Sequence, residues 1–132
     1  MKIAACLLGM VMVFAACQES KRERMEREAR EYTQQNCPHA EFEDLIFLDS
    51  VTCPNDGSNK LTYYYSIHGD STDMDAIEEN HDELFMALLG AVRNSVDLKN
   101  VKAEGLDIQY IYYNHQTGEE LTTFCFKPED YN

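Results

Sequence analysis

Tryptophan is absent, proline occurs three times and glycine six times in 132 residues. So few chain breakers exclude a collagen-like or Pro/Gly-rich low-complexity chain. Basic residues are scarce: 11 Lys and Arg stand against 24 Asp and Glu, for a formal net charge of −13. Such a surface repels phosphate backbones, which excludes nucleic acid as a partner. It also argues against docking on anionic lipid through a basic patch. No Cys-x-x-Cys occurs, and none of His39, His68, His81 and His115 stands four residues from another, so zinc-ligand spacing is missing. Asp70, Asp73, Asp75, Glu78 and Glu79 cluster without the order of a calcium loop, and they read as the solvated, dipole-matched start of a helix. P-loop, Gly-x-Gly-x-x-Gly and Gly-x-Ser-x-Gly patterns are absent. Neither a metal nor a cofactor is expected.

One long apolar stretch is present. Ile3 to Ala16 follows the positive pair Met1-Lys2, and it is shorter than the roughly 20 residues of a spanning helix. It ends Val13-Phe14-Ala15-Ala16-Cys17 and turns abruptly polar at Gln18-Glu19-Ser20. On these residues the chain resembles bacterial lipoproteins, whose leaders end in a large residue, a small pair and a lipid-bearing Cys. Phe14 stands where that family usually has an aliphatic residue. Ile3-Ala4-Ala5-Cys6 has similar letters but no apolar region before it. The resemblance covers residues 1–17 only. It implies removal of residues 1–16 as a signal peptide, a diacylglyceryl thioether with further acyl chains (palmitate among them) on Cys17, and attachment to a membrane of the cell envelope. Gln18, in place of an inner-membrane-retaining Asp, implies the outer membrane. The sequence then divides into a leader (1–16), a lipid anchor with a charged helical spacer (17–36) and one α+β domain (37–132).

Residues 19–36 alternate in charge, with Glu23–Arg27 and Glu26–Arg30 spaced for i,i+4 pairing and Met25, Ala29 and Tyr32 on a narrow apolar stripe. Pro38 ends this helix. Phe42–Thr52 reads as a strand, Cys53–Asn59 as a turn centred on Asp56-Gly57, and Leu61–His68 as the return strand. Thr72 and Asp75 fit a capping box ahead of a helix whose apolar face is Ile77, Leu84, Phe85, Leu88, Val92 and Val96. Leu106–Asn114 and Leu121–Lys127 read as two more strands joined at Asn114–Gly118, and the tail from Pro128 is polar. The order helix-β-β-helix-β-β predicts an α+β fold: a four-stranded antiparallel sheet with the helices packed on one face.

Tyrosine is the most unusual component. All eight lie after Cys17, six of them on two predicted strands. Strand alternation lets Tyr63, Tyr65, Tyr110 and Tyr112 share one face, with Tyr64 and Tyr113 on the other. Tyrosine in strands serves β-propensity and half-burial, but an open row of it also makes a contact surface. Cys37 and Cys53 flank the first strand and are the candidate disulfide, provided the chain turns back between them. Cys125 is then left free in a strand.

Two functions of different class follow. One is a non-catalytic binding or protein-interaction module of the envelope, contacting a protein or glycan through the tyrosines or the acidic surface. A specific version is an inhibitor or immunity-type lipoprotein that neutralises a basic protein. The other is a small enzyme using His68, His81 or Cys125 at an unrecognised site; no catalytic residue can be singled out. A structure separates the two by showing whether such groups share a pocket.

Overall fold

The computed structural model describes residues 19–132. The leader and Cys17 lie outside the described residues. Helix α1 spans Lys21–Asn36, and strands β1 (His39–Phe42), β2 (Ile46–Thr52) and β3 (Lys60–Ile67) follow. Helices α2 (Ser71–Glu79), α3 (His81–Asn94) and α4 (Lys99–Ala103) lead to β4 (Asp107–Asn114), β5 (Glu120–Phe126) and α5 (Pro128–Tyr131).

The mixed α+β class is as expected, but the sheet has five strands in the order β1-β2-β3-β4-β5, not four. The expected strand Phe42–Thr52 shortens to β2, and an unexpected strand, β1, precedes it. Glu43 adopts φ +48, folding Phe42 back so that β1 pairs antiparallel with β2. Nor is the sheet wholly antiparallel, because β3 and β4 run parallel in register from Lys60↔Asp107 to Ile67↔Asn114. The three helices between them carry the chain back to the starting end of β3, and a crossover of that length is what a parallel pair needs.

Strand β2 contains a bulge between Leu48 and Ser50. The extra residue, Asp49, breaks the alternation, so Leu48 and Val51 both face the core, at 2% and 6% exposure. Simple alternation would place them, three residues apart, on opposite sides. The long helix expected after Thr72 is likewise interrupted. Its cap is Asp70 rather than Thr72, in a capping box with Asp73. Asn80 (φ −99, ψ 25) separates α2 from α3, with its side chain returned to the Ala76 carbonyl at 2.8 Å. Val96 falls beyond α3 and is 82% exposed instead of closing the apolar face. The tail is not merely polar: α5 buries Tyr131, whose hydroxyl donates to the Leu106 carbonyl at 2.8 Å.

Helix α1 lies against the domain. Ser20 caps it, and Ala29 is buried. Its ion pairs are Lys21–Glu104, Arg24–Glu28 and Arg27 with both Glu19 and Glu31. Neither expected pair forms: Arg27 turns to Glu19 and Glu31 instead of Glu23, and Glu26 accepts the Asn55 N–H at 2.7 Å instead of pairing with Arg30. Arg22 donates to the Pro54 carbonyl (3.0 Å) and to Cys53 Sγ (3.3 Å). Cys53 therefore sits at the start of α1, whereas Cys37 is its C-cap. A helix of this length separates the two thiols by roughly 20 Å, far beyond disulfide reach. Both are free, and the predicted Cys37–Cys53 bridge is not made.

Beyond the short β1, the edge of β2 is closed by a side chain. Thr33 Oγ1 accepts the Val51 N–H at 2.9 Å, and its one proton is within reach of the carbonyls of Val51 (3.0 Å) and Ala29 (2.9 Å). One hydroxyl stands in for a neighbouring strand at an edge that would otherwise recruit one. Thr33→Val keeps the shape and removes the hydroxyl. It is expected to cost about 1–3 kcal/mol, read from urea unfolding, with Thr33→Ser close to the parent.

Candidate functional site

The helices cover one face of the sheet unevenly. Helix α1 packs on β2, while α2, α3 and α5 gather on β5. Three strand spacings from β2 to β5 amount to about 14 Å, against about 8–10 Å for close-packed helices. The spacing implies a groove over β3 and β4, the strands that carry Tyr63, Tyr65, Tyr110 and Tyr112, and it opens at the Tyr63 end. Arg93 donates to the Asp130 carbonyl of α5 and so marks the outer flank of α3. At roughly 100° per residue, the half-buried Leu84 and Leu88 fall on the opposite flank, toward α1.

The four tyrosines form a continuous ladder. Tyr63 stacks on Tyr110 at 5.0 Å and 9°, Tyr110 on Tyr65 at 6.2 Å and 19°, and Tyr65 on Tyr112 at 4.9 Å and 11°. The parallel β3–β4 register causes this, since it sets Tyr63 opposite Tyr110 and Tyr65 opposite Tyr112. Behind the ladder, Tyr110 and Tyr112 meet Phe126 and Phe124 edge-on. Tyr110 and Tyr112 are 6% and 5% exposed, while Tyr63 and Tyr65 are half-buried. Burial pushes all four phenols up, Tyr110 and Tyr112 to about 12 and the other two beyond. They stay neutral donors at any physiological pH.

Among the described residues, none of the four hydroxyls has a hydrogen-bond partner, and none is sealed from solvent; Thr123 Oγ1 alone is both buried and unpaired. The rings thus belong to the core while the oxygens keep a trace of solvent access. The charged groups acting on the ladder are carboxylates: Asp97 at Tyr63, and Glu41 at Tyr65 and Tyr112. Tyr32, 41% exposed, forms part of the α1 rim. At the Tyr63 end the groove deepens into a cleft of about 220 Å³ between α1 and the Asp97–Val101 segment.

The other candidate residues do not converge. His81 stacks on Phe124 and shares a hydrogen bond with Thr122 on the helix-bearing face. Cys125 lies in the row with Gln109 on the opposite face, half-buried, and burial pushes its thiol up. His68 bonds Ser66 Oγ at 2.9 Å and stacks on His115 at 3.8 Å. Ser66 has no exposed surface, so its hydroxyl cannot meet a substrate. Beside it Tyr113 donates to Asp49, tying β4 to the bulge of β2. Among the described residues no three His, Cys, Asp or Glu side chains are grouped to hold a metal ion. Sequence reasoning missed Asp97 and Glu41. They stand in a helix link and a short strand, and no periodicity marks either.

Two solved structures share this fold. A Pseudomonas aeruginosa protein described as secreted is 18% identical, with a TM-score of 0.71 over 87% of this chain and 100% of its own. A pilotin of the Vibrio vulnificus type 2 secretion system is 11% identical, with a TM-score of 0.55 over 85% of this chain and 96% of its own. At these identities the likeness is one of fold. No curated protein matches the sequence. A family model does, across α1, β1 to β4, the helices between β3 and β4 and the start of β5: over residues 20–122 the chain belongs to the family described as a domain of unknown function, DUF8479.

Proposed function

We propose that this chain is an envelope lipoprotein whose folded part is a non-catalytic protein-interaction module, holding a segment of its partner in the groove over the tyrosine ladder. Residues 1–16 are its leader, Cys17 carries the lipid, residues 17–36 form the anchor and helical arm, and residues 37–132 the domain on which that arm lies. The outer membrane is its location. The observation that carries the reading is the row of four stacked phenols whose hydroxyls find no partner among the described residues. Tyrosines supply rigid contact area with a polar tip, and such residues dominate the binding energy of interfaces. The shared fold with a secretion-system pilotin and a secreted protein supports an envelope setting. The separation of His68, His81 and Cys125 removes the motive for an enzymatic alternative built on them.

A photo-crosslinkable residue in place of Tyr32 tests the groove in intact cells. Covalent capture of one protein species is expected at Tyr32 and not at Met86, which is 63% exposed on the far flank of α3. Equal labelling at both positions, or labelling at Met86 alone, refutes the groove. Intact mass of the native chain tests the anchor independently: acyl groups on a chain beginning at Cys17 are expected, and an unacylated chain refutes that half.

A further inference from the structure

The cleft at the Tyr63 end has a chemistry of its own. Met25, Ala29 and Val101 give it apolar walls, and Tyr63 closes one side. Tyr63 is the terminal ring of the ladder, with Tyr110 stacked along one side of it. Two carboxylates reach the cleft, Glu28 and Asp97. Arg24 engages Glu28 at 2.8 Å. Asp97 has no cation within ion-pair distance among the described residues, and it is exposed at the mouth.

We infer that this cleft is the pocket for one basic side chain, lysine or arginine, of the protein segment held in the groove. The assignment rests on the groove being a protein-binding site and adds what its occupant must carry. A basic side chain lays a methylene stem along apolar walls while its charge stays at the wetter end. Here that end offers the Asp97 carboxylate, and a cation is attracted to it. An acidic side chain would meet two carboxylates. An apolar one would shield Asp97 from water without pairing it, which costs free energy. The Glu41 carboxylate at the other end of the ladder adds to the same preference. Complementary charge of this kind raises the association rate and rejects acidic competitors.

The test is a peptide-display selection on the full chain in detergent, run in parallel on Asp97→Asn, with Tyr32→Glu as the control for groove binding. Selected peptides are expected to be apolar with one Lys or Arg at a constant place. On Asp97→Asn the apolar pattern should persist and the basic preference vanish. For a selected peptide, replacing its basic residue by norleucine, or Asp97 by Asn, should weaken binding about tenfold, equivalent to ~1.4 kcal/mol. Either change should also flatten the salt dependence. Peptides without a basic preference, still blocked by Tyr32→Glu, would overturn the pocket and leave the groove standing. Selection of no peptide, or only of peptides indifferent to Tyr32→Glu, would overturn both.

Discussion

Raising the pH from 10 toward 12 is expected to unfold the domain in one cooperative step. Burial holds the phenols of Tyr110 and Tyr112 at about 12 instead of 10.0, and those of Tyr63 and Tyr65 higher still. Their pKa values are raised in the folded state, so the unfolded chain releases these protons first. The stability they contribute is therefore complete below pH 10 and is lost as pH rises through the folded values. For Tyr110 and Tyr112, buried to 6% and 5% exposure, the loss is of order 2–3 kcal/mol each. Two such rings reach a large share of a small domain's stability. Tyrosinate absorbance should appear together with the loss of helical circular dichroism. Ionisation of most tyrosines near pH 10 with the dichroism intact would contradict the buried ladder. Tyr110→Phe with Tyr112→Phe should move the transition to higher pH.

The second large effect separates ring from hydroxyl. Tyr112→Ala removes a ring stacked on Tyr65 and set edge-on to Phe124, leaving a cavity at the centre of the sheet. A loss of about 3–5 kcal/mol is expected, enough to leave the domain largely unfolded at physiological temperature. Tyr112→Phe keeps the ring and deletes an oxygen with no partner among the described residues. Its stability should stay within about 1 kcal/mol of the parent. Any loss of partner capture in that variant then reports the hydroxyl's role in binding. If Tyr112→Phe proves as damaging as Tyr112→Ala, the oxygen is structural and the groove loses its main support.

Much of the sheet was legible because its strands announce themselves by composition. Lys60–Ile67 and Asp107–Asn114 are dense in tyrosine and β-branched residues and flanked by turn residues. Alternation along each strand assigned Tyr63, Tyr65, Tyr110 and Tyr112 to one side, and they stack there. Period-2 logic failed where the backbone departs from it. The Asp49 bulge reverses facing within β2, and the positive φ of Glu43 makes a turn where the expected strand began. The Cys37–Cys53 pairing failed for a related reason. Sequence distance says nothing of the α1 axis that separates the two thiols.

By itself the sequence determined quantities that need no neighbour in space. Net charge argues against a nucleic-acid partner, the lipoprotein-like leader implies an address, and strand periodicity selects which tyrosines share a face. Only the tertiary structure decided that the sheet's central pair is parallel, since pairing direction follows from where the α2–α4 crossover returns the chain. That choice sets Tyr63 beside Tyr110 and Tyr65 beside Tyr112, turning two runs of aromatic letters into one stacked ladder. It also brings Asp97 and Glu41 to the ladder from remote segments, because a carboxylate's electrostatic influence depends on distance through space, and a linear pattern does not encode it.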